Sequence, residues 1–121
     1  MAKKFVNFPR DRIEMVKQEA ARLQTTILLK ANTDIISDGK EVVLESAGSP
    51  YMTVGGTGDT LAGIVGALLA RGVQPLEAAA VGAYINGKAG ELAAKKFKDS
   101  LTACDLIDSI PLVLNDVLNR V

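Results

Sequence analysis

The stretch GSPYMTVGGTGDTLAGIVGALLARG, residues 48–72, is the most informative part of this chain. Gly55, Gly56 and Gly58 lie close together, Asp59 follows them, and the sequence beyond is apolar and rich in Gly and Ala. Glycines let a backbone adopt positive φ and approach a ligand closely. A Gly-rich loop that opens a helix presents unpaired N–H groups and the positive end of the helix dipole. The stretch therefore predicts a turn into a helix that is suited to binding a phosphate or another anion.

Asp59 has two interpretations. A carboxylate in the first turn of a helix complements the helix dipole and needs no further role. Beside a bound anion, the same carboxylate would act as a general base toward a substrate hydroxyl, as phosphoryl transfer requires. The loop is not a Walker A motif, because no Gly-Lys-Ser/Thr follows, and its spacing differs from G-x-G-x-x-G. Three glycines and an aspartate before a long helix of small residues favour the functional interpretation.

The composition excludes several kinds of chemistry. The 121 residues include no His and one Cys, and their formal net charge is zero. Without His there is no Ser-His-Asp or Cys-His catalysis and no His-ligated zinc. Cys104 is alone, which excludes an intrachain disulfide and fits a reducing compartment. The charge balance argues against a general nucleic-acid binder.

The chain also lacks the signals of a membrane or secreted protein. Its opening, MAKKFVNFPRD, has no apolar core of the kind found in secretory signals. No apolar run reaches the ~18 residues that a membrane span needs. We therefore expect a soluble, cytoplasmic protein without a membrane partner.

The pattern of apolar residues predicts the element order α-β-β-β-loop-α-α-α. The predicted elements are a helix over about 10–24, strands at 25–29, 35–37 and 41–45, and helices over 57–70, 75–97 and about 101–121. The Asp38-Gly39 pair predicts a hairpin, Gly72 a helix end, and Pro111 an interruption of the last helix. Three short strands are few for so much helix, so we expect the single unit 1–121 to be part of a larger α/β domain.

Residues 52–72 resemble the anion-hole signature of the ribokinase-like superfamily. Their sequence is most similar to that of the ADP/ATP-dependent NAD(P)H-hydrate dehydratases, the carbohydrate-kinase-like domain of the YjeF type. Three further segments resemble this family in the same order: ILLKANTDIISDG at 27–39, LEAAAVGAYINGKAGELAA at 76–94 and LTACDLIDSIPLVL at 101–114. The resemblance runs from about residue 10 to the end and covers the C-terminal half of the family domain. It implies the C-terminal part of a three-layer α/β/α domain, helix-rich and with a short-stranded sheet.

The resemblance implies a repair reaction in which hydrated NAD(P)H is dehydrated back to NAD(P)H with consumption of ADP or ATP. The nucleotide would phosphorylate the hydroxyl, which then leaves as phosphate. Asp59 would take the hydroxyl proton, and backbone N–H groups would stabilise the transferring phosphoryl. Those N–H groups belong to Gly55, Gly56, Thr57 and Gly58. The turn formed by Lys30, Ala31, Asn32, Thr33 and Asp34 would contact the adenine nucleotide. Mg²⁺ would accompany the phosphates, and no residue is assigned as its ligand.

Two positions depart from the family pattern. Ala31 stands where the family usually has Gly, which removes some φ freedom from the 30–34 turn. Gly48-Ser49-Pro50 stands where the family usually has Gly-Asn-Pro. Ser49 keeps the ability to form a hydrogen bond.

Alternatives remain open at this point. Within the same fold, a kinase acting on a sugar, a hydroxymethylpyrimidine or a thiazole would use the same loop. A non-catalytic helical association module would explain the thin, apolar helices but not GGTGD. Asn86 would either face an adenine or fill a packing gap. Because a divided sheet exposes an unpaired edge, we expect self-association or pairing with the missing N-terminal half.

Overall fold

The computed structural model of this protein describes the backbone of residues 9–119 and the side chains of residues 11–116. In chain order its elements are α1 (Pro9–Leu23), β1 (Ile27–Leu29), β2 (Asp34–Ser37), β3 (Val42–Glu45), α2 (Thr57–Ala70), α3 (Pro75–Phe97) and α4 (Ala103–Asn119). Short 3₁₀ turns lie at Pro50–Thr53 and Lys98–Ser100. The predicted order of elements is confirmed, while residues 120–121 of the predicted last helix lie outside the described residues.

The three strands form an antiparallel sheet in the order β1-β2-β3. The turn between β2 and β3 is the predicted Asp-Gly hairpin. The Asp38 carboxylate accepts the N–H groups of Lys40 and Glu41 at 2.9 and 2.8 Å. Gly39 has a φ of +95°, and a Cβ there would lie 2.7 Å from the Cα of Ala21. Only glycine therefore lets this turn pack against α1.

Helices cover both faces of the sheet. Ile36 is fully buried in a cluster with Leu61 of α2 and with Ala79 and Ala83 of α3. The helix α1 contacts β1 and β2 from the other face, since alternate residues of a strand point to opposite sides. The result is a small three-layer α/β/α arrangement, as the family resemblance implied.

The helix α3 runs through the centre of the helical half. It packs against α2, α4 and the sheet. A Cβ at Gly82 would lie 2.6 Å from Cγ2 of Val65, so the glycine allows α2 and α3 to approach closely. A second apolar cluster joins Ile85 and Ala89 of α3 to Leu106 of α4. Among the described residues, no helix has the length and apolar character needed to cross a membrane.

The helix α4 differs from the prediction at two points. It begins at Ala103 rather than Leu101, because Thr102 and Asp105 cap each other. The Thr102 N–H donates to Asp105 Oδ2 at 2.8 Å, and the Asp105 N–H donates to Thr102 Oγ1 at 3.3 Å. The predicted interruption at Pro111 is also wrong, because the helix continues through it. Proline removes the hydrogen bond to the carbonyl of Ile107, and the helix continues without it on a face where Ile107 is 49% exposed.

Candidate functional site

The start of α2 presents backbone N–H groups to an open space. Its N-cap is Gly56, which has a φ of +98° and makes no side-chain capping bond. The first bond of the helix runs from the Thr60 N–H to the Gly56 carbonyl at 3.0 Å. The preceding N–H groups have no acceptor within the helix. A Cβ at Gly55 or Gly58 would meet nothing within 4 Å, so a ligand has room to reach these amides.

The side chain of Thr57 is used internally. It is 4% exposed, and its hydroxyl donates to the Met52 carbonyl at 2.9 Å. Asn86 of α3 lies behind it, donating to the Thr57 carbonyl at 3.3 Å and accepting the Thr60 hydroxyl at 2.7 Å. Of the two interpretations of Asn86, the structure favours the packing one. Thr57 can therefore offer a ligand its backbone N–H but not its hydroxyl.

A cavity of about 750 Å³ lies between the 30–34 turn and the loop that leads into α2. We call it the polar cavity. Its wall is formed by Lys30, Ala31, Asn32 and Asp34 of the turn, by residues 46–50 and 52–54 of the loop, and by Thr57. Of the two segments that the sequence marked for nucleotide binding, the 30–34 turn contributes four residues to this wall and the 55–58 segment contributes Thr57. Thr33, Gly55, Gly56 and Gly58 are not part of this wall.

The members of the 30–34 turn differ in their freedom to bind. Asp34 is 7% exposed, and its carboxylate accepts the Ala31 N–H at 2.9 Å, which closes the turn. Ala31 has no positive φ, so the alanine causes no backbone strain there. Lys30 and Asn32 are exposed at the cavity and make no hydrogen bond with their side chains among the described residues. These two side chains are the ones available to a ligand.

Asp59 lies in the first turn of α2 and is exposed. Its carboxylate forms no hydrogen bond or ion pair within the described part of the chain. It lies outside the wall of the polar cavity. An unpaired carboxylate beside open N–H groups is free to accept a proton from a ligand that sits over the helix start.

A second space borders the α2 start at Gly58. It has a volume of about 880 Å³ and lies between β1 and α2. We call it the apolar groove, because most of its wall is apolar: Leu28, Leu61, Ala62, Val65, Leu69, Leu76 and Ala79. Gly58 borders this groove and Thr57 the polar cavity, while Lys30 borders both. The start of α2 therefore borders two spaces, one lined by several polar side chains and one lined mostly by apolar side chains.

Glu91 of α3 holds the loop in place and was not identified from the sequence. Its carboxylate accepts the Gly48 N–H at 2.9 Å and pairs with Lys88 at 3.1 Å. Burial raises the pKa of Glu91, but the Gly48 N–H and the Lys88 ammonium together hold that pKa below its usual value. The sequence signal for this contact was the pair Gly87 and Gly90 beside Glu91, because glycines on a helix allow another segment to pack closely. A Cβ at these positions would collide with Ala47 and Met52 of the loop.

The described residues offer no ready-made metal site. No group of three or more His, Cys, Asp or Glu side chains among them could hold a metal ion. A cation at this site would therefore need oxygen ligands from a bound molecule.

Comparisons with known proteins identify the family of this chain. Residues 1–112 match a carbohydrate-kinase family model described as NAD(P)H-hydrate dehydratase. The chain is 51% identical over 107 residues to a bifunctional NAD(P)H-hydrate repair enzyme of Hyperthermus butylicus, covering 86% of this chain and 20% of that protein. It is 50% identical over 103 residues to an ADP-dependent (S)-NAD(P)H-hydrate dehydratase of Cenarchaeum symbiosum, covering 85% of this chain and 36% of the relative.

A solved structure matches as well. The ADP/ATP-dependent NAD(P)H-hydrate dehydratase of Bacillus subtilis, crystallised with ATP and Mg²⁺, aligns with a TM-score of 0.81 at 33% identity. The alignment covers 88% of this chain and 39% of that one. This chain thus spans between about a fifth and two fifths of the length of these relatives.

Proposed function

This chain belongs to the NAD(P)H-hydrate dehydratase family, and on that premise we propose that it is the nucleotide-binding part of an ADP/ATP-dependent NAD(P)H-hydrate dehydratase. The observation that supports the proposal is the polar cavity, where the 30–34 turn lies across from the loop that precedes α2 and from Thr57 at the start of α2. A family member of known structure was crystallised with ATP and Mg²⁺.

The proposed nucleotide lies with its phosphates over the start of α2. The N–H groups of Gly55, Gly56, Thr57 and Gly58 and the helix dipole would stabilise the negative charge. Lys30 and Asn32 would contact the nucleotide from the turn, and Thr33 would do so if the ligand extends beyond the cavity wall. Ala31 and Asp34 shape the turn through their mutual hydrogen bond. Mg²⁺, when bound, would neutralise phosphate charge and take most of its ligands from the phosphates and water.

The chemical step assigns Asp59 as general base. As the substrate hydroxyl oxygen bonds to the terminal phosphorus of the nucleotide, the bond from that phosphorus to its bridging oxygen breaks, and Asp59 takes the hydroxyl proton. The nucleotide leaves with one phosphate fewer, as AMP from ADP or as ADP from ATP. The N–H groups at the α2 start stabilise the transferring phosphoryl. The C–O bond then breaks as phosphate leaves, and loss of a neighbouring proton restores the double bond of NAD(P)H. The hydrated NAD(P)H must reach Asp59 from the exposed side of the helix start.

We also propose that the 121 residues act as one unit that associates with a second polypeptide surface. The edge of β1 is unpaired in the described sheet and borders the apolar groove. An unpaired edge beside apolar side chains favours self-association or pairing with the part of the domain that the relatives carry and this chain does not. The lone cysteine continues to support a cytoplasmic location, which stays a prediction.

Isothermal titration of the chain with ADP and ATP in the presence of Mg²⁺ tests the nucleotide site. The wild-type chain should bind, and Lys30→Ala should weaken binding at least about tenfold, the usual effect of losing one charged contact. Lys40→Ala is the matched control, because Lys40 is an exposed lysine in the hairpin turn at the opposite end of β2. An equal loss in both variants, or no binding by a folded wild-type chain, would contradict the proposed site.

A further inference from the structure

One face of α3 holds both ends of the loop that borders the polar cavity. Asn86 and Gly90 are four residues apart, as are Gly87 and Glu91, so the two pairs share one side of the helix. None of these four residues belongs to the cavity wall. Each of them contacts a residue of the wall, namely Ala47, Gly48, Met52 or Thr57, so they can influence a bound ligand only indirectly.

Asn86 holds the far end of the loop, where it becomes α2. Its side chain is 2% exposed, and both of its polar atoms are used in bonds to that helix. The Thr60 hydroxyl lies 2.7 Å from Asn86 Oδ1 and 2.8 Å from the Thr57 carbonyl, so the three groups form a closed triangle. A buried amide without these partners would be costly. The first turn of α2 is therefore tied to one position on α3.

Glu91 holds the near end of the loop. Its carboxylate accepts the Gly48 N–H at 2.9 Å across 43 residues of sequence. Between the two ties, Gly87 lies against the Ala47 backbone and Gly90 against the Met52 side chain, so closely that no Cβ would fit. These close contacts therefore set the distance at which the loop packs against α3.

We propose that Asn86 and Glu91 are positioning residues for the nucleotide site. They hold Gly48 and the first turn of α2 at the separation that opens the polar cavity to a nucleotide, and they act on the ligand only through that backbone. The inference rests on the proposed function for the identity of the ligand. The positioning itself does not depend on the proposed function, because it is a property of the chain without a ligand.

The test compares Asn86→Ala and Glu91→Ala with the wild-type chain in two measurements. The first is amide hydrogen exchange without nucleotide, and the second is titration with ADP and Mg²⁺. In both variants we expect the amides of residues 48–58 to exchange at least about tenfold faster and ADP to bind at least about tenfold more weakly. Glu91→Gln keeps an oxygen for the Gly48 N–H and should restore much of the affinity lost in Glu91→Ala.

Ser37→Ala is the matched control for a purely structural loss. Ser37 is fully buried, and its hydroxyl donates to the Glu41 carbonyl and accepts the Gly39 N–H in the hairpin. It should lower the melting temperature without changing exchange in 48–58 or ADP affinity. Thr60→Val, a milder change, replaces Asn86→Ala if that variant does not fold.

The outcomes separate the two proposals. Faster exchange in 48–58 without any ADP binding by the wild type would support positioning and contradict the nucleotide site. If the wild type binds ADP and the Asn86 and Glu91 variants bind it equally well, the positioning proposal is overturned. Exchange that rises evenly over the whole chain, as in a general loss of stability, would overturn it too.

Discussion

At the scale of single residues, the polar side chains of the site separate into those that build it and those that are free to act. Asp34 closes its turn through the Ala31 N–H, and Thr57 anchors the loop through the Met52 carbonyl. Asp59 makes no such bond and is exposed at the helix start. The sequence placed all three in binding or catalysis, but their hydrogen bonds leave only Asp59 with an unused side chain.

Asp59→Ala tests the catalytic assignment. In the chain completed by the rest of its domain, the substitution should lower turnover by roughly 10²–10⁴-fold, the usual contribution of a positioned general base. ADP affinity should change little, because the proposed phosphate contacts are backbone N–H groups. The measurement is NADH formation from hydrated NADH with ADP and Mg²⁺, alongside titration with ADP. Unchanged turnover would leave Asp59 with a helix-dipole role alone.

At the scale of elements, the start of α2 uses its glycines for different reasons. Gly56 needs a positive φ, and a Cβ there would lie 2.9 Å from that of Ala103. Gly58 is helical and open to solvent, so its lack of a side chain serves access and not conformation. One residue type therefore sets the path of the loop at one position and keeps space for a ligand at the other.

Alanine substitutions at these two glycines should have opposite effects on stability. Gly56→Ala should lower the free energy of unfolding by about 1–2 kcal/mol, because alanine is strained at a left-handed φ. Gly58→Ala should raise it by about 0.4–1 kcal/mol, because alanine restricts the unfolded chain and fits a helix. Urea unfolding of the two variants and the wild type gives both values. A loss of similar size in both would show that the α2 start is not the helix N-terminus described above.

Across the whole molecule, the sheet ends at the unpaired edge of β1, and the apolar groove lies beside that edge. The helix α2 is exposed there at several small residues, including Ala62, Gly63 and Gly66. Leu69 borders the same groove and is 44% exposed. Such a surface is costly in water unless another polypeptide covers it. The polar cavity therefore borders a helix, α2, that is exposed to solvent along much of its length.

Leu69→Lys tests whether this surface mediates association. In size-exclusion chromatography with light scattering, the wild-type chain should show a mass above that of one chain, and Leu69→Lys should shift it toward the monomer. The lysine would bring a charge into an apolar contact, which is strongly unfavourable. Leu114→Lys is the control, because Leu114 of α4 is 41% exposed but lies outside the groove wall. A wild-type chain that is monomeric and melts sharply would contradict the association.

Local sequence patterns account for the order of the elements and for the start of α2. The limits of α2 and α3 follow from local rules, because Gly56, Gly72 and Pro75 act on the backbone beside them. The Asp-Gly hairpin follows in the same way. The start of α4 depended on a side-chain cap, and the helix continues through Pro111 without the hydrogen bond that proline removes, so both differed from prediction.

Only the tertiary structure decided which segments share a site. The polar cavity joins the 30–34 turn to a loop far along the chain, and Asn86 and Glu91 reach that loop from α3. No local pattern encodes such contacts, because hydrogen bonds across 29 or 43 residues depend on how the helices pack. The close approach that Gly82, Gly87 and Gly90 allow brings these groups within bonding distance. Local backbone preferences therefore account for the helices and strands, whereas close packing on α3 brings the residues of the candidate site together.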